Sequence, residues 1–222
     1  MTHRLFALGR CLIPLAALAV AGCMKPADPK DYSTFRRSDP HSILIVPAIN
    51  QSVYVNAPDY YLSTITRPLA ERGYYVFPVH TVKRALEDDG LSDADMVHRG
   101  DPKRLGQLFG ADAILYVTVE RWDSQYLVIN TTTTVKLNYR LVDAKTGQEL
   151  WNKNLSMAYS PQSSGGGVAG LIVQAVVSAM EKADPNYMPL ARQLNAQAAL
   201  TPHQGLPAGP HDPSYGKDRD NF

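Results

Sequence analysis

The first 23 residues limit the fold most strongly, because most of them do not belong to it. Two arginines precede an apolar run over residues 11–20, and small residues lead from there to Cys23. This order of basic, apolar and small residues is typical of a secretory signal. The run is shorter than the roughly 20 residues of a membrane-spanning helix, and it contains Pro14. We therefore predict that residues 1–22 are removed.

The cleavage region predicts how the remaining chain is held. The sequence Val20-Ala21-Gly22-Cys23 resembles a bacterial lipobox, in which the cysteine thiol receives diacylglycerol. An ordinary cleavage site beside a chance cysteine is the alternative. Acyl chains contribute about 0.8 kcal/mol per buried methylene, so several chains on one residue hold a soluble domain at a membrane. We expect lipidation of Cys23, and Met24 after it favours the outer membrane, with the domain in the periplasm and cell-surface exposure left open.

Cysteine content and charge exclude several classes of function. Cys11 leaves with the signal and Cys23 is acylated, so no thiol is left for a disulfide, a metal or redox chemistry. Loss of two signal arginines leaves 20 of the 22 basic residues against 21 acidic ones. Such a balance provides no long-range field that attracts nucleic acid or anionic lipid. We therefore predict no nucleic-acid partner.

No motif brings catalytic or cofactor-binding groups together. The triple glycine at 165–167 is not followed by a lysine until Lys182, so it does not fit a phosphate-binding loop. The histidines of the mature chain are isolated from one another, which argues against a zinc site. No Gly-x-Ser-x-Gly turn is present, and the acidic stretch 87–95 is typical of a solvated loop. We expect no enzymatic activity, no metal and no cofactor.

The apolar pattern predicts one mixed α/β domain over residues 42–200. Residues 24–41 are polar and proline-rich, as in a tether, and residues 201–222 have the composition of a disordered tail. Between them, strands at 43–46, 74–79 and 113–119 alternate with helical patterns, which gives a β-α-β-α-β start.

The second half predicts an antiparallel meander and a C-terminal helix. Residues 127–142 and 149–159 are strand-like, and apolar and polar residues alternate over 135–141. We place the first hairpin near Asp123-Ser124. Residues 168–183 then form a helix that is apolar on nearly all sides, so it is buried or covered by a partner. The fold class is α/β with a mixed sheet between layers of helices.

Two surfaces are candidates for binding. Tyrosines crowd into the first third of the domain, where they serve cores and interfaces equally well. We assign Tyr75 and Phe77 to the core. The candidate interface residues are Tyr54, Tyr60 and Tyr61 in the tyrosine-rich segment, and Leu171, Ile172, Gln174 and Ala175 in the apolar helix.

One block carries a family resemblance. The segment 57–79, with its Pro-Leu-Ala-Glu-Arg-Gly-Tyr-Tyr-Val-Phe-Pro-Val sequence, together with Gly110-Ala111-Asp112-Ala113 and the lipobox, resembles a family of proteobacterial lipoproteins that includes a neisserial surface-antigen candidate. The resemblance spans most of residues 23–200. It implies a domain similar to the N-terminal domain of TolB and the periplasmic domain of the curli secretion lipoprotein CsgG. It also implies a homodimer that acts beside a CsgG-like lipoprotein, and it carries over no catalytic residues.

Two functions follow as hypotheses. The first is a non-enzymatic component of an envelope transport or assembly complex. The alternative is a small-molecule or lipid-binding lipoprotein, with the ligand between the tyrosine-rich segment and the apolar helix. We expect no membrane-inserted barrel, because the strands carry no clear aromatic girdle.

Overall fold

The computed structural model describes residues 29–127, 130–159 and 187–222. Residues 1–28, with Cys23, and the apolar helix predicted over 168–183 lie outside these ranges. Among the described helices, none has the length and apolar character needed to cross a membrane.

The first half of the domain mixes helices with short strands, and the second half contains three consecutive long strands, as the sequence predicts. The helices are α1 Ser33–Ser38, α2 Ala57–Glu71, α3 Val79–Asp88, α4 Ala94–Arg99, α5 Pro102–Phe109 and α6 Met188–Leu200. The strands are β1 Ser42–Ile45, β2 Ile49–Asn50, β3 Tyr75–Val76, β4 Ala113–Leu127, β5 Asn130–Asp143 and β6 Glu149–Tyr159. The predicted α/β class is therefore confirmed.

One mixed sheet separates two layers of helices. Its strand order is β3-β1-β4-β5-β6, and the short β2 also pairs with β4. Strand β1 runs parallel to β3 and β4, whereas β4, β5 and β6 form the antiparallel meander. Ile43 and Ile45 pack in one core with α2 and α6, while Leu44 and Val46 pack in a second core with α3, α4 and α5. The unbroken apolar run of β1 follows from this burial on both faces.

The meander is longer than predicted at its first turn. Strand β4 continues to Leu127, which pairs with Asn130, the first residue of β5. Asp123 and Ser124 lie inside β4, and the hairpin predicted there is wrong. A register shift between Val119 and Arg121 explains the error, because one extra residue in a strand breaks the period-two pattern without ending the strand.

The acidic stretch 87–95 is not entirely a loop. Asp93 caps α4 by accepting a hydrogen bond from the Asp95 amide, and Val97 of this helix is buried. Asp caps such as this satisfy one of the free amides at a helix start. The sequence did not predict this short helix, because six residues contain less than two turns of the periodic apolar pattern.

The folded part begins well before residue 42. Tyr32 and Phe35 are buried, and the Tyr32 hydroxyl donates to the Gly205 carbonyl oxygen at 2.7 Å. The Lys30 amide donates to the His203 carbonyl oxygen at 3.1 Å. The structure thus differs from the predicted tether over 24–41, because these two aromatic residues bury more apolar surface than the polar composition suggested. Lys30, seven residues after Cys23 in the sequence, is therefore already bonded to the domain.

The C-terminal segment, residues 201–222, is packed against the domain and differs from the predicted disordered tail. Leu206 and Ala208 are buried, and the Tyr74 hydroxyl donates to the Pro207 carbonyl oxygen at 2.6 Å. The Gly209 amide donates to the Arg72 carbonyl oxygen at 2.8 Å. Backbone contacts and buried charged groups hold this segment, and it has no periodic apolar face. Its composition alone therefore predicted disorder.

Asp143 connects α1 to the β5–β6 turn and makes stability depend on pH. Its carboxylate accepts hydrogen bonds from Ser38 Oγ, from the Lys145 amide at 2.9 Å and from the Thr146 amide at 2.6 Å. Burial pushes the pKa of Asp143 upward, but the hydrogen bonds from Ser38, Thr146 and Lys145 outweigh it and hold the pKa below its usual value. A carboxyl whose pKa is lower in the folded state stabilises the fold above the unfolded pKa of about 4 and loses this contribution as pH falls.

We predict that Asp143→Ala lowers the free energy of unfolding by about 2 kcal/mol at neutral pH, because several hydrogen bonds to a charged group are lost. The difference from the wild type shrinks as pH falls below about 4, where the carboxylate becomes protonated. Urea unfolding at neutral and acidic pH measures both values. Asp88→Ala, at an exposed carboxylate, is the control. A difference for Asp143→Ala that is the same at every pH contradicts the prediction.

Candidate interaction surface

Four aromatic side chains meet where β4 passes the start of α2. These residues, the aromatic cluster, are Tyr54, Tyr60, Trp122 and Tyr187. The ring centroid of Tyr54 lies 5.9 Å from that of Tyr60 and 5.6 Å from that of Tyr187. Trp122 is fully buried, stacks on Tyr60 at 6.5 Å and lies 5.8 Å from Tyr187. Each ring therefore packs against at least one other ring of the cluster, in the tilted or stacked arrangements that aromatic side chains prefer.

The loop that carries Tyr54 is fixed by its own hydrogen bonds. The Gln51 amide donates to the Val119 carbonyl oxygen at 2.8 Å and so extends the pairing of β2 with β4. Asn50 Nδ2 donates to the Tyr54 carbonyl oxygen at 3.0 Å, and the Ala57 amide donates to the same oxygen at 3.0 Å. The loop thus has a defined shape where it leads into α2.

Two valines project from this loop into solvent. Val53 is 85% exposed and Val55 is 84% exposed, and they flank Tyr54; we call these two valines the valine tip. No charged residue lies between Asn50 and Pro58. Single exposed apolar residues are common on protein surfaces. Two neighbouring ones, held on a fixed loop beside an aromatic cluster, make this loop a candidate binding surface.

The structure places the predicted tyrosines differently. Tyr54 is half-buried and Tyr60 is 40% exposed, so both reach the surface beside the valine tip. Tyr61 is 0% exposed and lies 6.5 Å from the Tyr139 ring in the core, so its assignment to an interface is wrong. Consecutive residues of a helix are about 100° apart, and Tyr61 shares the inward face with Leu62, Ile65 and Leu69. Leu171, Ile172, Gln174 and Ala175 lie outside the described residues and remain predictions.

The core assignment of Tyr75 is also wrong. Tyr75 is 53% exposed, and its ring meets Phe77 edge-on at 5.0 Å. Phe77 is partly buried and packs against the second core. The difference arises because β3 is a two-residue strand at the edge of the sheet, so no strand lies beside it on its outer side.

Sequence reasoning missed the valine tip. Its signal was present, since two β-branched residues stand in an uncharged loop between a strand and a helix. Hydrophobic residues in a loop contradict the usual polar composition of such segments. A position in sequence, however, does not tell whether a loop valine turns inward or outward.

A second exposed apolar region lies between α4 and α5. It is an open groove of about 630 Å³, lined by Leu91, Met96 and Leu108, with Asp101 and Arg104 among its charged residues. Met96 is 52% exposed and Leu108 is 55% exposed. This groove provides a matched comparison for the valine tip, because both present apolar side chains to solvent.

His98 has a structural role. Its Nε2 donates to the Pro47 carbonyl oxygen at 2.9 Å, and its ring meets Tyr116 edge-on at 5.0 Å. Burial lowers the pKa of His98, although the hydrogen bond to Pro47 opposes this effect. Within the described part of the chain, no three His, Cys, Asp or Glu side chains are grouped as metal ligands.

Known proteins similar to this chain point to one family. The family model described as "Putative lipoprotein GNA1162-like" matches residues 30–211. A relative from Neisseria meningitidis serogroup B, named "Putative lipoprotein NMB1124/NMB1162", is 37% identical over 200 residues, which cover 88% of this chain and 92% of the relative. The crystal structure of lipoprotein GNA1162 from Neisseria meningitidis is 40% identical, covers 63% of this chain and 96% of its own, and superposes with a TM-score of 0.55. The chain therefore belongs to the GNA1162-like lipoprotein family.

Proposed function

We propose that the protein is an outer-membrane lipoprotein, acylated at Cys23, whose domain in the periplasm binds another envelope protein through the valine tip. It works without catalysis, as one component of a transport or assembly complex. The observation that carries the proposal is the exposure of Val53 and Val55 beside the aromatic cluster. Covering two such valines removes apolar surface from water, which favours association.

The position of the tip relative to the tether supports this proposal. Lys30, where the chain joins the domain, lies at the level of Tyr116 in β4. It contacts Asn152 of β6, and Asn152 is paired across the sheet with Arg140 and then with Tyr116. The tip follows the contact of Gln51 with Val119, and Tyr60 beside it stacks on Trp122. Tyr116 is three to six residues of β4 away from Val119 and Trp122, so Lys30 and the valine tip lie about 10–20 Å apart along the strand. Anchoring near Lys30 therefore leaves the tip free for a partner.

The chemistry of the tip indicates the kind of partner. An uncharged, protruding loop with two valines and Tyr54, beside Tyr60 of α2, fits an apolar recess on a protein surface. A second copy of this chain and a CsgG-like lipoprotein are the partners we propose. A small ligand among the aromatic rings is less well supported, because the rings already contact one another at 5.6 to 6.5 Å.

We predict that replacing both valines, Val53→Ser with Val55→Ser, weakens partner binding about thirtyfold, which corresponds to about 2 kcal/mol of lost apolar burial. The fold should be unaffected, since both side chains lie in solvent. The measurement is the yield of partner recovered with the tagged, acylated protein from chemically crosslinked cells. The control variant combines Met96→Ser with Leu108→Ser in the groove between α4 and α5. Equal yields of partner protein from the two variants would contradict the assignment of the valine tip as the binding surface.

A further inference from the structure

Three side chains that can bind a metal ion meet where the C-terminal segment touches the turn between α1 and β1. The Tyr215 hydroxyl donates to the Asp39 carboxylate, at 2.8 Å to Oδ1 and 2.7 Å to Oδ2. The Nε2 atom of His41 lies 3.4 Å from Asp39 Oδ2 and 3.5 Å from the Tyr215 hydroxyl oxygen. One carboxylate, one imidazole and one phenol are thus grouped at a single point of the surface.

The spacing of these three groups matches that of ligands around one metal ion. Nitrogen and oxygen ligands lie about 2.0–2.2 Å from zinc. The Tyr215 hydroxyl oxygen, Asp39 Oδ2 and His41 Nε2 are separated by 2.7, 3.4 and 3.5 Å. A point less than about 1 Å out of the plane of these atoms lies about 2.1 Å from all three, which is the length of a zinc–ligand bond. The distances between the three atoms therefore already fit one ion.

Hydrogen bonding explains only part of this arrangement. It accounts for the contact of Tyr215 with Asp39, whereas the distances of 3.4 and 3.5 Å from His41 Nε2 are longer than those of ordinary hydrogen bonds. A shared ion would join all three groups. The side chains of His41 and Asp39 are 58% and 53% exposed, and Tyr215 is 36% exposed. Solvent water can therefore reach the remaining coordination position.

Backbone contacts hold the three ligands in position. Asp39 ends α1 with a φ angle of 44°. The His41 amide donates to Asp112 Oδ2 at 3.2 Å, and the Tyr215 amide donates to the Asp212 carbonyl oxygen at 3.0 Å. Groups that are already placed lose less conformational freedom when a ligand binds. The fold thus prepares this site before an ion arrives.

We propose that Asp39, His41 and Tyr215 bind one divalent transition-metal ion, zinc or copper. Imidazole suits both ions, whereas magnesium and calcium prefer sites made of oxygen ligands. On binding, the Tyr215 phenol loses its proton to the solvent and binds as phenolate, while His41 binds as neutral imidazole. The sequence did not predict this site, because His41 and Tyr215 are 174 residues apart.

The bound ion would connect the turn after α1 to the C-terminal segment, residues 201–222. These two parts of the chain also meet where the Lys30 amide donates to the His203 carbonyl oxygen. The ion therefore stabilises the part of the domain where the chain enters it from the tether. This role is independent of partner binding at the valine tip and of acylation at Cys23.

Zinc binding by a chain without competing ligands tests the proposal. The mature chain with Cys23→Ser and no histidine tag is titrated with Zn²⁺ in a calorimeter, and we expect one ion per chain. His41→Ala and Tyr215→Phe should each weaken binding at least about tenfold, because even groups that only orient a metal ligand contribute about 10–100-fold. His80→Ala removes an exposed histidine elsewhere on the domain and should bind zinc like the parent chain.

Copper absorption and thermal unfolding provide two further measurements. A phenolate bound to Cu²⁺ gives a charge-transfer absorption band, which the parent chain should show and Tyr215→Phe should lack. Zn²⁺ at about 100 times its dissociation constant should raise the unfolding midpoint of the parent chain by about 5–10 °C. It should have little effect on Tyr215→Phe. Unfolding of this variant without metal shows whether its fold is retained, since phenylalanine keeps the ring.

Three results would overturn the inference. The parent chain binds no Zn²⁺ at one ion per chain, the parent chain with Cu²⁺ lacks the charge-transfer band, or the variants at positions 41 and 215 bind zinc as tightly as His80→Ala does. The last result would show that the ion binds elsewhere on the surface. A failure of partner capture at the valine tip leaves these measurements unaffected, because no partner is present in them.

Discussion

Replacing Arg72 by alanine is expected to lower the free energy of unfolding by about 4 kcal/mol, because it removes the closest charge partner of a buried carboxylate. Arg72 lies just after α2 and is 9% exposed. Its guanidinium contacts Asp218 at 3.0 Å and Asp212 at 3.5 Å, and donates to the Leu206 carbonyl oxygen at 2.8 Å. It also lies 4.4 Å from the centre of the Phe222 ring. One side chain thus connects α2 to four residues of the C-terminal segment.

The effect is large because Asp218 has little else to neutralise it. The Asp218 side chain is 6% exposed, and it also accepts a hydrogen bond from the Ala208 amide at 2.6 Å. After loss of Arg72, the remaining cation is Arg36, whose Nη1 lies 3.8 Å from Asp218 Oδ1. A charge that stays buried without a close partner destabilises the folded state far more than a solvated one does.

Urea unfolding with circular dichroism measures the Arg72→Ala effect, and limited proteolysis reports whether the C-terminal segment is released first. Arg67→Ala, one turn earlier in α2, is the matched control. Its guanidinium side chain is 85% exposed and pairs with Glu71 at 2.7 Å, so its loss should leave the free energy of unfolding almost unchanged. Similar losses for the two variants would show that the contacts of Arg72 with the C-terminal segment do not stabilise the protein.

Gly73→Ala is expected to destabilise the protein by about 3 kcal/mol, from backbone strain and from a clash. The φ angle of Gly73 is +87°, which side chains other than glycine rarely adopt. A Cβ at this position would lie 2.4 Å from the Asp212 amide nitrogen and 2.9 Å from the Gly209 carbonyl oxygen. Because both atoms belong to backbone, the C-terminal segment must move away to make room.

Gly90→Ala separates the two causes. Gly90 has a φ angle of +80°, and a Cβ there would meet no atom within 4 Å. This variant should cost only the strain, about 1 kcal/mol. Chemical denaturation gives both values, and protease sensitivity after residue 201 should rise only for Gly73→Ala. Equal costs for the two variants would mean that the C-terminal segment does not rest on Gly73 as described.

The parts of this fold that sequence predicts are those with a short repeat. Burial of β1 on both faces gives an unbroken apolar run, and the alternation over 135–141 gives the wet and dry faces of β5. Helix phase also separates Tyr60 from Tyr61, since the apolar stripe of α2 includes only the second. This part of the candidate surface was therefore within reach of the sequence.

The parts that sequence does not predict depend on distant contacts. Arg72 and Asp218 are 146 residues apart, and nothing local to either marks the pair. The bulge between Val119 and Arg121 and the outward turn of Val53 likewise depend on neighbouring strands and loops. A segment held by backbone contact and buried charge has no periodic signature, which is why residues 201–222 resembled a disordered tail.

Site-specific photocrosslinking from position 55 of the acylated protein in living cells tests the proposed function most directly. The proposal predicts one discrete product, a crosslink to an envelope protein or to a second copy of this chain. The same probe at position 108, on an exposed leucine of the groove between α4 and α5, should not give that product. No product from position 55, or the same product from both positions, would contradict the assignment of the valine tip as the binding surface.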